Sequence, residues 1–171
     1  MDTGSLRAVQ APLKERYREE PQAAFITLRA QSRLGEGISC KVETGKAPVV
    51  AGLHPATGGS GHAACSGDML LEALVACAGV TLNAVATALG IPLRDASLQA
   101  EGDLDFRGTL GVSKEVPVGF QNIRLHFTLD TDASDEELAT LLRLTERYCV
   151  VFQTLAHPPA FAVSRTTGPV A

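Results

Sequence analysis

Four cysteines, Cys40, Cys65, Cys77 and Cys149, are the residues of this chain best equipped for chemistry. A cysteine acts as its thiolate, which is a nucleophile, a metal ligand and a source of electrons. No two of them form a Cys-x-x-Cys pair, so neither a zinc ribbon nor a thioredoxin-type motif is written here. At about 100° per residue, Cys77 shares a helix face with Ser66, Leu70, Ala73, Leu74, Val80, Thr81 and Ala84, an apolar stripe of small side chains. Cys149 sits in the same way on the stripe of a later helix, near its C-terminal end. Two readings stay open: both thiols are small core hydrophobes, or they are redox partners facing each other across a helix–helix contact. Pattern alone favours the first, and periodicity cannot establish the second. Cys65 lies just before a helix start, where oriented N–H groups lower a thiol pKa, but the preferred reading is a plain exposed, non-catalytic cysteine. Cys40 falls in a strand-like segment and reads as structural.

The other chemically capable residues form weaker patterns. His54, His62, Cys65 and Cys77 match no metal-ligand spacing, so neither a metal nor any other cofactor is expected. Gly58-Gly59-Ser60-Gly61-His62 lacks both the Gly-Lys-Ser/Thr ending of a phosphate loop and the final glycine of a nucleophile elbow. Asp68 and Glu72, four apart on one face, are candidate acids, or negative charges that favour a helix start. His157, beside two prolines, reads as a loop residue.

The elements that must position these residues are legible in outline. Residues 6–20 predict a short amphipathic helix ended by Pro21, and 1–22 read as a helical extension to a single domain over 23–171. Between 23 and 53 the segments FITLRA, ISCKVE and APVVAGL read as strands separated by glycine turns. Residues 66–89 predict a buried central helix, with Ser66 able to cap it, Asp68 in its first turn, and Gly90 and Pro92 to stop it. Strands follow over 96–107 and 120–129. Ser134 to Glu137 form a capping box before a second helix, and 160–165 read as a final strand. The order β-rich, helix, β-rich, helix, strand is that of an α+β fold.

Composition narrows the partners. The 171 residues are 45% apolar and 20% charged, with a net charge of −4 and no tryptophan. Without a basic footprint or stacking platforms, no nucleic acid is expected as a partner. The N-terminal residues carry no apolar run, and the stretch 70–82 contains Glu72 and reads as too short and too polar to span a membrane. The expected location is the cytoplasm, where thiols are kept reduced.

Two segments carry a resemblance. The run from Cys65 to Leu82, CSGDMLLEALVACAGVTL, is similar to the central helix of the OsmC/Ohr family of osmotically inducible and organic-hydroperoxide-resistance proteins, in which Pro-x-Glu-x-Leu-x-Ala-Ala precedes a cysteine. Cys149-Val-Val-Phe-Gln-Thr-Leu resembles that family's Cys-Pro-x-Ser-x-x-Leu run, and the order of elements matches over about 23–166. The resemblance implies an α+β fold in which two chains interlock, strand sheets wrapping two cysteine-bearing helices. It also implies a thiol-dependent peroxidase of organic hydroperoxides. Cys77 would attack the peroxide, Cys149 would resolve the product as a disulfide, and an external dithiol would reset both. A cation, Arg33 by match with Arg29 as the second candidate, would hold Cys77 ionised and pair with Asp68 at the start of the helix. The sequence departs from the pattern in having Asp68 for glutamate, Val150 for proline and Glu72 for a small residue, and Asp68 falls on the helix face opposite Cys77. The alternative reading is a non-catalytic dimer of the same fold that binds an apolar small molecule or acts as a redox sensor.

Overall fold

A computed structural model describes residues 3–34, 40–42, 51–165 and 167–168, of which 3–7, 28–34 and 40–42 are described by backbone alone. The chain opens with helix α1 (Thr3–Glu19), which ends ahead of Pro21, and Pro21 begins a 3-10 turn, Pro21–Ala24. Proline suits that place because it has no N–H to leave unpaired at a helix start. β1 (Phe25–Leu34) and β2 (Cys40–Val42) follow, then two short strands, β3 (Ala51–Gly52) and β4 (Ala64–Cys65), which pair in parallel.

The central element is α2 (Ser66–Leu89), closed by Gly90, whose φ of 69° is the left-handed turn that glycine adopts without steric cost. Cys65, not Ser66, is the N-cap residue, and it makes no side-chain cap; Ser66 is already the first helical residue. Within its 24 residues an 18-residue window reaches a mean hydropathy of 1.8, so by length and composition α2 could cross a bilayer, contrary to the reading of 70–82 alone. Here it is instead the central helix of the core. Leu71, Leu74, Val75, Ala78 and Leu82 are fully buried against β1, the long strand β5 (Asp95–Asp105) and the C-terminal helices. Each buried leucine contributes about 1.5–3 kcal/mol.

After β5 comes a single helical turn, α3 (Phe106–Thr109), and then β6 (Phe120–Asp130). The main sheet runs β2-β1-β5-β6, antiparallel throughout. Period-two alternation decides its faces: Ala96, Leu98 and Ala100 pack into the core, while Gln99, Glu101 and Asp103 belong to the outer row. On that outer face Arg124 holds Asp103 with two hydrogen bonds, at 2.5 and 2.9 Å, and Thr27 Oγ1 donates a third at 2.8 Å. Near the bulge between Asp103 and Leu104, Gly102 lies beneath the Phe120 ring; a Cβ at 102 would come within 2.4 Å of it.

Ser134 caps α4 (Asp135–Tyr148) through the expected box: its hydroxyl accepts from Glu137 N–H, and Glu137 accepts from Ser134 N–H at 2.8 Å. The helix does not run on through Cys149. The backbone turns extended there (φ −70°, ψ 106°), and a second helix, α5 (Val150–Ala156), begins. Residues 160–165 form no strand. This segment finds no strand partner among the described residues, and Phe161 and Val163 stand 86% and 96% exposed. A satellite cluster of Tyr17, Ala24, Phe106 and Leu110 attaches α1, with Tyr17 OH donating to Ala56 O at 2.6 Å.

Candidate functional site

The break at Cys149 is what places its sulfur. Cys149 N–H still donates to Thr145 O as the last bond of α4, while its carbonyl accepts from Gln153 N–H as the first bond of α5. The side chain is thereby turned inward, 1% exposed, and Sγ accepts the Phe152 N–H at 3.4 Å. Cys77, on α2, is half-buried at the edge of the same core. Both cysteines pack on the same core cluster, at the contact between α2 and the helices α4 and α5. Burial, first, and then the Cys77 sulfur push the Cys149 thiol up to about 11, against the opposing pull of the Phe152 N–H. Both cysteines are free thiols.

A cavity of about 350 Å³ adjoins this joint, lined by Leu74, Phe120, Ile123, Leu125, Phe152 and Leu155 among others. Leu74 lies one turn before Cys77, and Phe152 is the residue whose N–H reaches Cys149. The lining is apolar, and Gln121 is its one polar side chain. Cys77 also stands in a stripe on α2 that carries no charge, and Leu70, Ala73, Val80 and Ala88 of that stripe are exposed.

The remaining sequence candidates lie elsewhere. Asp68 is in the first turn of α2, nine residues before Cys77 and so on the opposite face. Its carboxyl is raised above the usual aspartate range by burial, an effect that the nearby His54 charge partly offsets. Arg33 and Arg29 lie on β1, opposite Ser97 and Glu101 in the register, in the row that alternates with Leu98 and Ala100. Their side chains, like that of Cys40 on β2, fall outside the described residues. Cys65 is half-buried against the core, and Glu72 is half-buried one turn after Asp68. Among the described residues no three His, Cys, Asp or Glu side chains converge as metal ligands.

Two features of the site went unseen in the sequence. His54 Nδ1 accepts the Ala56 N–H at 3.0 Å and its ring stacks on Phe106, with centroids 5.1 Å apart, which fixes it beside Asp68. No local pattern foretells a contact between a loop, a helix start and a distant turn. The second is the Phe152 N–H on Cys149. Its signal was available, because the proline that follows the cysteine in the resembling motif is the residue favoured at the first position of a helix, and Val150 occupies that position here.

Comparison with known proteins agrees with this architecture. The sequence profile of the OsmC-like protein family matches residues 59–164. An OsmC-like hydroperoxide resistance protein from Jannaschia sp. CCS1 superposes with a TM-score of 0.60 at 13% identity, over 86% of this chain and 97% of that one. An OsmC-like protein from Mycoplasma pneumoniae superposes with a TM-score of 0.56 at 18% identity, over 78% and 86% of the two chains. No curated protein matches. With the family profile spanning more than half of the sequence and an α+β fold shared with both structures, this chain belongs to the OsmC-like protein family.

Proposed function

We propose that the protein is a thiol-dependent peroxidase of organic hydroperoxides, with Cys77 the thiol that meets peroxide and Cys149 the thiol that resolves it. The observation that carries this reading is the asymmetry of two cysteines on one core cluster: Cys77 is half-buried, while Cys149 is 1% exposed and pushed toward its neutral form by burial. Cys77 thiolate attacks the O–O bond and becomes a sulfenic acid while the alkoxide leaves and takes a proton. Cys149 sulfur then attacks Cys77 sulfur, the S–O bond breaks, and the Cys149 proton leaves with the hydroxide as water. A dithiol returns both cysteines to thiols. The apolar cavity beside the pair suits the carbon chain of an organic hydroperoxide better than hydrogen peroxide, which has no apolar part to bury. The name of the Jannaschia structure points the same way. One equivalent of cumene hydroperoxide should yield a Cys77–Cys149 disulfide in non-reduced peptide mass spectra. Crosslinking of Cys40 or Cys65 with Cys77 untouched would overturn the assignment.

The working unit in this reading is a homodimer in a reducing compartment. The exposed, chargeless stripe of α2 calls for a partner surface, and small residues such as Ala73 and Ala88 let a second copy of α2 approach closely. Arg33 is assigned as the cation near Cys77 on the strength of the resemblance, with Asp68 as its anchor. The second reading, a dimer that binds an apolar small molecule without turnover, is favoured by the cavity alone. Purified protein that binds an apolar fluorophore but leaves hydroperoxide unconsumed over many equivalents of dithiol would select it.

A further inference from the structure

We infer that Phe120 sets the size of the molecule this site accepts: its ring bounds the cavity beside the thiols at a capacity that takes a short or aromatic hydroperoxide whole and a lipid hydroperoxide only in part. The inference rests on the peroxidase reading for the identity of the ligand, and on the cavity alone for the limit. A methylene group takes about as much room as a water molecule in the liquid, about 30 Å³, so a space of about 350 Å³ holds roughly a dozen of them. Cumene hydroperoxide is within that size, and a hydroperoxide of linoleic acid is well beyond it. Leu74 on α2 and Phe152 and Leu155 on α5 supply the helical wall, and all three pack in the central core. Gln121 lines the space as well and is exposed.

Phe120 reaches the cavity through an irregularity in the sheet. Ile123, Leu125 and Phe127 face the core from alternate positions of β6, a rhythm that would aim residue 121 inward and residue 120 outward. The bulge changes the count. Asn122 pairs with Asp103 and Phe120 with Leu104, so Gln121 is the extra residue of β6. Phe120 is thereby turned to the core side, and Gln121 is left exposed. The ring then lies across Gly102, which occupies the core-facing row with Leu98 and Ala100 but brings no side chain to it. With bare backbone beneath it the ring is seated low, and the room it leaves above is the cavity. A mid-strand glycine and a bulge each interrupt a sheet, and here both act on the pose of one aromatic ring. Each methylene of a ligand that enters this space should gain about fourfold in affinity, and each one left outside should gain nothing.

Straight-chain 1-alkyl hydroperoxides from butyl to hexadecyl test this on the full chain, with dithiothreitol as reductant. In the parent protein kcat/KM should rise by about fourfold per carbon up to about ten carbons and level off beyond. Phe120→Ala should carry the rise about three carbons further. Phe120→Leu keeps a large apolar side chain in place and should move the break by about one carbon, so the result does not hang on the alanine variant folding. Ala156→Leu, which fills the same space from the exposed end of α5, should bring the break forward by about three carbons. Phe127→Ala removes an equal ring from the same strand outside the cavity lining and should leave the break where it was. A break that stays put in both Phe120 variants, one that moves as far in Phe127→Ala, or an unbroken rise to hexadecyl would overturn the role of Phe120. The 1-alkanols of the same lengths carry no peroxide, and their affinities are read by displacement of 1-anilinonaphthalene-8-sulfonate. A break in alcohol affinity that moves with Phe120, in a protein that leaves hydroperoxide unconsumed, would sustain the size limit and refute only the peroxidase reading.

Discussion

Burial raises the pKa of the Cys149 thiol, so it stays protonated at pH 8. Burial then adds a barrier of access. Iodoacetamide at pH 8 should therefore label Cys77 well ahead of Cys149, with labelling of Cys149 appearing only on unfolding; peptide mass spectrometry over time gives the order, and early labelling of Cys149 would contradict the buried joint. The cation is a separate question at this scale. Arg33→Ala should slow oxidation of Cys77 by about tenfold or more with little change in melting temperature, since one opposite charge within reach shifts ionisation by a unit or more. Arg29→Ala is the control. The register puts both arginines in the row that alternates with the core-facing Leu98, so unchanged peroxide kinetics in both variants would place the cation elsewhere. The thiols show how far the sequence reached. Periodicity put Cys77 on its stripe, but it ran one helix straight through Cys149 and favoured the core reading over the redox one. The resemblance is what turned the reading toward redox chemistry. Asp68 was correctly placed on the far side of α2, yet its neighbour His54 depends on a loop packing against a distant turn, which no spacing rule encodes.

Elements whose signals are local were the easiest to read. α2 occupies 66–89 as expected because its start and stop are chemically marked by Asp68 in the first turn and Gly90 after the last. The Ser134 box is equally local, and its worth can be measured: Ser134→Ala should cost about 1 kcal/mol in denaturant unfolding. Strand 160–165 failed for the opposite reason. An extended segment becomes a strand only when a neighbour accepts its hydrogen bonds, and among the described residues none does. The outer face of the sheet makes a pH prediction. Arg124 first, and then Thr27, hold Asp103 at about 2, below its ordinary 3.8. A carboxyl lowered by folding stabilises the native state at pH values above the unfolded pKa, and that contribution fades as pH falls from about 4 to about 2. Asp103→Asn should remove this dependence, giving an unfolding free energy that changes less across that window. An acid titration as steep as that of the parent protein would show that the Arg124 pair is not its source.

For the whole molecule, the exposed stripe on α2 is the feature with the largest consequence. Val80 stands 39% exposed on it, so Val80→Glu should leave the protomer folded while placing a charge in any helix-to-helix contact. Sedimentation should then report a shift from dimer to monomer at micromolar concentration. A variant that still sediments as a dimer would move the interface off α2.

The hydrogen atom that stands for a side chain at Gly102 has a reach beyond its own strand. Phe120 lies over that position and is also a wall of the cavity beside the thiols. The floor under the ring is therefore set from the sheet, by a residue that touches neither sulfur. A single methyl added there would force the ring to move and reshape the cavity that it walls. The cavity wall is thus shared: α2 and α5 supply Leu74, Phe152 and Leu155, and β5, through Gly102, sets from the far side of the ring how much room Phe120 leaves.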